Sequence, residues 1–302
     1  MRRRVPLLLL LAAPAFAAGC GGSSNTAASH GPIQVVAAEN FWGSIAAQLG
    51  GSKAHVTSVI TSPATDPHDY EPTAADGRVL AGARLAIVNG IGYDPWAGKL
   101  LSSNPVGGRI VLDVGDLVGI AAGGNPHRWY SPADVQRVIA AIAGDYAKLD
   151  PRDAAYFHAR RAAFETKGLA RYTRLIATIK RRYHGVPVGA SESIFAPLAK
   201  ALGLKLLTPG SFLKAISEGA EPTASDITTI DRQISRRQIK VWVFNSQNST
   251  PDVQRITDAA RKQGIPVTTI TETMTPASAR FQDWQSHQLE ALMRALAEAT
   301  GR

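Results

Sequence analysis

The stretch from Pro151 to Tyr183 reads PRDAAYFHARRAAFETKGLARYTRLIATIKRRY. It has no proline after its first residue and a single glycine, Gly168, and its apolar side chains recur at helical intervals. This pattern predicts an α-helix, which at 1.5 Å per residue would be about 48 Å long. A helix of that length can span a whole protein, so we expect it to connect two lobes.

The sequence before this helix alternates short apolar segments with segments of helical spacing. The apolar segments predict four strands: Ile33–Ala37, His55–Ile60, Leu85–Val88 and Arg109–Leu112. After the helix the alternation resumes with four more predicted strands: Val186–Gly189, Leu204–Leu207, Val241–Phe244 and Val267–Ile270. Alternation of this kind indicates βαβ units on parallel sheets.

The predicted fold class is therefore α/β, with two lobes joined by one long connecting helix. Each lobe is expected to hold a mainly parallel four-stranded sheet flanked by helices. The first lobe covers residues 33–149, the connecting helix residues 150–184 and the second lobe residues 185–302. A chain of 302 residues is long enough for two domains of ordinary size.

The N-terminal residues 1–20 predict a lipoprotein signal peptide. Arg2–Arg4 precede the apolar run Val5–Ala18, which is too short to span a bilayer as a helix. The run ends at Ala-Ala-Gly-Cys, which resembles a bacterial lipobox and makes Cys20 the candidate for lipidation, although Ala17 stands where leucine is usual. The alternative is ordinary cleavage near Cys20. Residues 21–32 are rich in Gly, Ser and Ala and predict a flexible linker.

The charge of the chain argues against a nucleic-acid partner. The formal net charge is +9, and removal of residues 1–20, which contain three arginines and no acidic residue, leaves 30 basic and 24 acidic residues. These charges are spread along the sequence, with no basic stripe interleaved with aromatic residues, so we expect no nucleic-acid binding. Cys20 is the only cysteine, which excludes an internal disulfide.

Three loops after predicted strands carry chemically active residues. They are Thr65–Pro72 after the second strand, Gly124–Tyr130 after the fourth, and Gly189–Glu192 after the first strand of the second half. In open α/β sheets, ligands bind outside the carboxyl ends of the strands. The cleft between the lobes is therefore the predicted site.

Two of these loops contain specific motifs. Asp66–Pro72 reads DPHDYEP and Asn125–Trp129 reads NPHRW. Together with Ala38–Trp42, Ser191–Leu204 and Glu221–Thr223, they resemble the zinc/manganese family (cluster A-I) of ABC-transporter solute-binding proteins. The resemblance covers nearly all of the chain from Ile33 to Ala299.

The resemblance implies one metal ion held between the lobes by four side chains. His68 and His127 match the first two ligands of the family, and Glu192 matches the third, within Ser-Glu-Ser-Ile-Phe. Glu272 stands where the family usually has aspartate. A solvated loop role for Glu272 stays open, with Asp283 as the nearest acidic alternative.

The cargo implied by this donor set is one divalent transition-metal ion, Mn²⁺ or Zn²⁺, with Fe²⁺ as a further candidate. Two imidazoles and two carboxylates suit tetrahedral Zn²⁺ and also Mn²⁺ with two-oxygen carboxylates. Residues 115–125 lack a histidine-rich loop, which slightly favours Mn²⁺.

The resemblance also implies a non-enzymatic, exported protein that delivers its ion to an ABC-transporter permease and ATPase. It would be a monomer, held through Cys20 on the outer face of the cytoplasmic membrane or in the periplasm. One alternative is a metal-dependent hydrolase, although the sequence has neither His-Glu-x-x-His nor Gly-x-Ser-x-Gly. Another is a binding protein for haem or a metal chelate, which would need a larger apolar pocket.

Overall fold

The computed structural model describes residues 31–302. The predicted signal peptide with Cys20, and almost all of the predicted linker, lie outside the described residues. Within the described part of the chain, no helix combines the length and the apolar character that a bilayer crossing would need.

The first sheet contains four parallel strands in the order β2-β1-β3-β4. They are β1 Ile33–Glu39, β2 Ala54–Ile60, β3 Leu85–Val88 and β4 Ile110–Asp113. The helices of this lobe are α1 Asn40–Gly50, α2 Ala74–Ala81, α3 Pro95–Ser103, α4 Val114–Val118 and α5 Pro132–Leu149. Because the strands are parallel, their carboxyl ends share one edge.

The second sheet repeats this topology, with parallel strands in the order β6-β5-β7-β8. They are β5 Pro187–Ala190, β6 Lys205–Leu206, β7 Val241–Asn245 and β8 Val267–Ile270. The connecting segment contains α6 Ala154–Ala163 and α7 Ala170–Tyr183, and the second lobe contains α8 Ala196–Leu202, α9 Gly210–Ser217, α10 Ala224–Ser235, α11 Pro251–Lys262 and α12 Phe281–Thr300. The predicted two-lobed α/β fold is confirmed.

The connecting segment differs from an uninterrupted α-helix. A 3₁₀ turn at Pro151–Asp153 precedes α6, and a π turn at Phe164–Gly168 separates α6 from α7. Phe164 and Leu169 are both buried but lie five residues apart, which would put them about 140° apart on an α-helix. The wider π turn brings both onto the core side, and the backbone N–H of Leu169 donates to the carbonyl of Phe164 (2.8 Å).

Gly168 permits this turn. A Cβ at this position would lie 2.8 Å from Cδ2 of Phe164, so the missing side chain leaves room for the phenyl ring. The single glycine of the segment therefore marks the interruption.

The two lobes share one hydrophobic core. A continuous cluster of buried side chains runs from Trp42 in the first lobe to Trp242 in the second. Helix α12 of the second lobe reaches α1 of the first: Gln282 Nε2 donates to Gln48 Oε1 (2.7 Å), and the backbone N–H of Phe281 donates to Ser44 Oγ (3.0 Å). This shared packing fixes the edge of one sheet relative to the other.

Candidate metal centre

Three of the predicted ligands meet where the carboxyl ends of the two sheets face each other. His127 lies in the loop between α4 and α5, Glu192 follows β5 and Glu272 follows β8. The nearest ligand atoms of these side chains all lie within 4.8 Å of one another. His127 Nε2 lies 3.7 Å from Glu192 Oε1 and 3.5 Å from Glu272 Oε1. Within residues 31–302, no other group of three His, Cys, Asp or Glu side chains is so arranged.

His68 lies at the rim of this group and is not part of its tight cluster. Its ring packs edge-on against Tyr93 with 4.8 Å between centroids. Together with Glu192 and Glu272 it lines a cavity of about 140 Å³. The backbone N–H of His68 donates to Asp66 Oδ1 (2.9 Å), which fixes a tight turn in this half-buried loop.

His127 is held in the form that a metal requires. Asn125 Oδ1 accepts from the backbone N–H of His127 (3.0 Å) and lies 2.9 Å from its Nδ1. The acceptor assigns the proton to Nδ1 and leaves the Nε2 lone pair directed at the two carboxylates. Burial lowers the pKa of His127 to about 4, so the imidazole is neutral.

Nε2 of His127 is itself an unusual atom. It is fully buried and has no hydrogen-bond partner within the described part of the chain. Buried polar atoms are nearly always satisfied, and exceptions require a reason such as an ion that binds there. A lone pair facing two carboxylates fits a divalent cation, and the nitrogen-oxygen donor set is one that Zn²⁺ and Mn²⁺ accept.

The two carboxylates are linked by a buried amide. Asn245 Nδ2 donates to Glu192 Oε2 (2.6 Å) and to Glu272 Oε1 (3.0 Å). Tyr93 donates its hydroxyl to Glu272 Oε2 (3.0 Å). Burial raises the pKa of Glu192 to about 8, with a further rise from the nearby Glu272, and burial raises the pKa of Glu272 to about 7. A bound cation would offset the cost of ionising both groups.

Aromatic side chains form one wall of the site. Phe41 stacks on Trp129 with 4.1 Å between centroids, and Trp129 packs edge-on against His127 at 5.2 Å. Tyr93 contacts the same tryptophan. Because this wall is apolar, it keeps water away from His127.

The sequence did not single out Asn125, Tyr93 and Asn245 as contributors to this site. Asn125 stands inside a recognised motif, and its position two residues before the histidine could have indicated its role. Tyr93 and Asn245 belong to no motif, and only their proximity to the ends of β3 and β7 was available as a signal. The alternative ligand Asp283 is exposed on the first turn of α12 and does not belong to the cluster.

A larger cavity borders His68 at the mouth of the cleft. It has a volume of about 380 Å³ and is lined from both lobes, by Ile91 and Asn125 on one side and by Ser193, Leu213 and Lys214 on the other. His68 thus lines both this opening between the lobes and the smaller cavity that contains Glu192 and Glu272.

Comparison with known families gives a match over most of the chain. The model of a family described as zinc-uptake complex component A, periplasmic (ZnuA), matches residues 35–295.

Individual relatives have low sequence identity to this chain but match most of its length. The metal ABC transporter substrate-binding lipoprotein FimA of Streptococcus parasanguinis is 25% identical over 286 residues, covering 88% of each chain. The manganese ABC transporter substrate-binding lipoprotein PsaA of Streptococcus pneumoniae is 23% identical over 286 residues, again covering 88% of each. The solved structure of the periplasmic zinc-binding protein TroA from Treponema pallidum superposes with a TM-score of 0.71 at 20% identity, covering 88% of this chain and 99% of that one. The similarity to the TroA structure, at 20% identity, shows a shared fold only.

Proposed function

This chain belongs to the ZnuA family of periplasmic zinc-uptake components, and from that premise we propose how it works: it captures one divalent transition-metal ion, Mn²⁺ or Zn²⁺, between its lobes for an ABC importer. The observation that carries the proposal is the buried Nε2 of His127. It lacks a hydrogen-bond partner in the described residues and faces two carboxylates of the opposite lobe.

The proposed ligands are His127, Glu192, Glu272 and His68. The first three are already gathered, and His68 is supported as the fourth because it lines the same cavity as both carboxylates. The ion would bind first to the gathered ligands, and the half-buried loop of His68 would then close over it.

This donor set supports binding of the metal ion as cargo, without a catalysed reaction. Four protein ligands leave no open position of the kind that a catalytic zinc ion keeps for water. We therefore favour cargo binding over hydrolysis. The proposed partners are the permease and ATPase of the importer, which receive the ion.

The proposed location is outside the cytoplasm, with a lipid anchor at Cys20 and a monomeric binding unit. Its support is the Ala-Ala-Gly-Cys sequence and the description of FimA and PsaA as lipoproteins. Labelling with a radioactive fatty acid in the producing cell tests the anchor, which Cys20→Ser should abolish.

A metal titration tests the central proposal. The mature chain, stripped of metal, should take up one Zn²⁺ or Mn²⁺ ion per molecule without hydrolytic activity. His127→Ala should lose most of the affinity, whereas the matched control His158→Ala, on the exposed surface of α6, should bind like the wild type. Two tightly held ions per chain, or equal binding by His127→Ala, would contradict the proposal.

A further inference from the structure

Asn245 occupies a position that the sheet order makes special. It is the last residue of β7, and β7 lies between β5 and β8 in the second sheet. Glu192 follows β5 and Glu272 follows β8, so the two carboxylates approach Asn245 from either side. Its side chain is buried, with only 1% of the residue exposed.

Hydrogen bonds with neighbouring residues fix the orientation of the Asn245 side-chain amide. Asn245 Oδ1 accepts from the backbone N–H of Gln247 (3.1 Å), and the backbone N–H of Asn245 donates to Ser191 Oγ (2.9 Å). Because Oδ1 is engaged by a donor, Nδ2 must face the carboxylates. Its two hydrogens serve one carboxylate each.

These hydrogen bonds limit how many oxygen atoms each carboxylate can direct toward a metal ion. Glu192 has Oε2 engaged by Asn245 and turns Oε1 toward His127 Nε2. Glu272 has Oε2 engaged by Tyr93 and turns Oε1, which also accepts from Asn245, toward the same nitrogen. Each carboxylate therefore presents a single oxygen to the centre of the cluster.

We propose that Asn245 is a positioning residue that sets metal preference: it holds back Oε2 of Glu192 while Tyr93 holds back Oε2 of Glu272, so that the site is limited to four protein donors and favours Zn²⁺ over Mn²⁺. This inference rests on the proposed function. It reverses the slight preference for Mn²⁺ that the missing histidine-rich loop suggested.

The physical basis is the different coordination demand of the two ions. Zn²⁺ has no geometric preference from its d electrons and is satisfied by four tetrahedral nitrogen and oxygen donors. Mn²⁺ favours six-coordinate, oxygen-rich surroundings. Holding back the second oxygen of each carboxylate therefore weakens Mn²⁺ binding more than Zn²⁺ binding. Most nitrogen and oxygen sites prefer Zn²⁺ to some degree, so the meaningful quantity is the change in the affinity ratio.

The test compares the ratio of Zn²⁺ to Mn²⁺ affinity in the wild type with that in Asn245→Ala and Asn245→Leu. Both variants lack the donor, and the leucine preserves more of the volume. Replacing residues that orient metal ligands typically changes affinity by 10–100-fold, and we expect the ratio to fall by about tenfold or more in both variants. Asn248→Ala is the matched control, since this amide lines the same cavity but donates to the carbonyl of Ile216.

X-ray absorption on the Zn²⁺-loaded wild type provides a readout that does not depend on the variants. We expect four nitrogen or oxygen donors, and five or six would overturn the inference. An affinity ratio that stays within about twofold of the wild type in a folded Asn245 variant would also overturn it, given the 10–100-fold scale of such effects. A wild type that binds neither ion would instead refute the proposed function, so the two failures are distinguishable.

Discussion

The two lobes contribute opposite kinds of donor to the cleft. The first lobe supplies imidazoles, of which His127 is neutral because burial lowers its pKa to about 4. The second lobe supplies two carboxylates, whose pKa values are raised to about 8 for Glu192 and about 7 for Glu272. The first lobe thus offers a neutral nitrogen donor in His127, and the second offers two carboxyl groups whose burial disfavours ionisation. Neither half is a metal site alone, so cation binding depends on the cleft that joins them.

A second contrast lies within the first lobe. His127 is completely buried and locked by Asn125, whereas His68 lies on a half-buried loop. His127 already belongs to the gathered cluster, and His68 is the proposed ligand that lies outside it. We expect the two histidines to affect binding differently.

The largest expected effect comes from removing charge from the second lobe. Glu272→Gln keeps the shape of the side chain but leaves a buried cation with one anionic partner fewer, so affinity should fall by about 3–5 kcal/mol. Glu272→Asp, the residue usual in the family, should stay within about 1 kcal/mol of the wild type. Competition titration of both variants measures this. Equal binding by Glu272→Gln would remove Glu272 from the set of charged metal ligands.

The pH dependence should also be large. The raised pKa values mean that the metal-free folded protein holds more protons on these carboxyls than the unfolded chain does between about pH 4.5 and pH 8. Stability of the metal-free protein should therefore fall as pH rises through this window. Metal affinity should rise over the same range, because the ion displaces protons, by about tenfold per pH unit for each proton displaced.

Isothermal titration between pH 6 and pH 8 in buffers of different ionisation enthalpy measures both affinity and proton release. Glu272→Gln serves as the control and should show a shallower slope. An affinity that is flat over this range would mean that the carboxyls are already ionised in the metal-free protein.

His68→Ala should have a smaller effect than the change at Glu272. In the proposed order of binding His68 joins last, so its loss should leave the three gathered ligands able to receive the ion but unable to retain it. We expect a loss of about 1–2 kcal/mol, roughly 5- to 30-fold, expressed mainly as faster dissociation. Stopped-flow measurement with a chelator gives the two rates, and Asp69→Ala on the same loop is the control. Unchanged dissociation would remove His68 from the site.

The smallest effect is expected at the joint between the lobes. In Gly168→Ala the new Cβ would press on the ring of Phe164, and we expect the protein to lose about 1 kcal/mol of stability. Gly144→Ala, on α5 where a Cβ would meet nothing within 4 Å, should instead gain about 0.5–1 kcal/mol. Denaturant unfolding compares them. Metal affinity should be unchanged in both, since neither residue touches a ligand, and a change would couple the connecting segment to the cleft.

The sequence was sufficient for the fold because strand-helix alternation is a local pattern. All eight predicted strands occur, and Leu85–Val88 and Val267–Ile270 have the predicted bounds. The π turn escaped notice because the five-residue spacing of Phe164 and Leu169 belongs to no α-helical template. No prediction was made either for α4 or for the short helix α9. It begins at Gly210, directly after Pro209, without a side-chain cap.

The metal site could be predicted only in part from the sequence, for a different reason. The motifs identified His68, His127, Glu192 and Glu272, and the structure gathers the last three, while their role as ligands stays a prediction. Asn245 could not be found this way, because its importance depends on β7 lying between β5 and β8. Strand order in space is a long-range property that no local pattern encodes.

The reach of α12 back to α1 has a consequence for the order of folding. This helix runs from Phe281 to Thr300, yet it bonds to Gln48 and Ser44, which lie 234 and 237 residues before their partners. The first lobe therefore cannot complete its packing until α12 has been synthesised. Domains that fold as units commonly do so from the N-terminus during synthesis, and this architecture postpones that step. Such a delay suits an extracytoplasmic protein, because a chain that has not yet folded can still be threaded across a membrane.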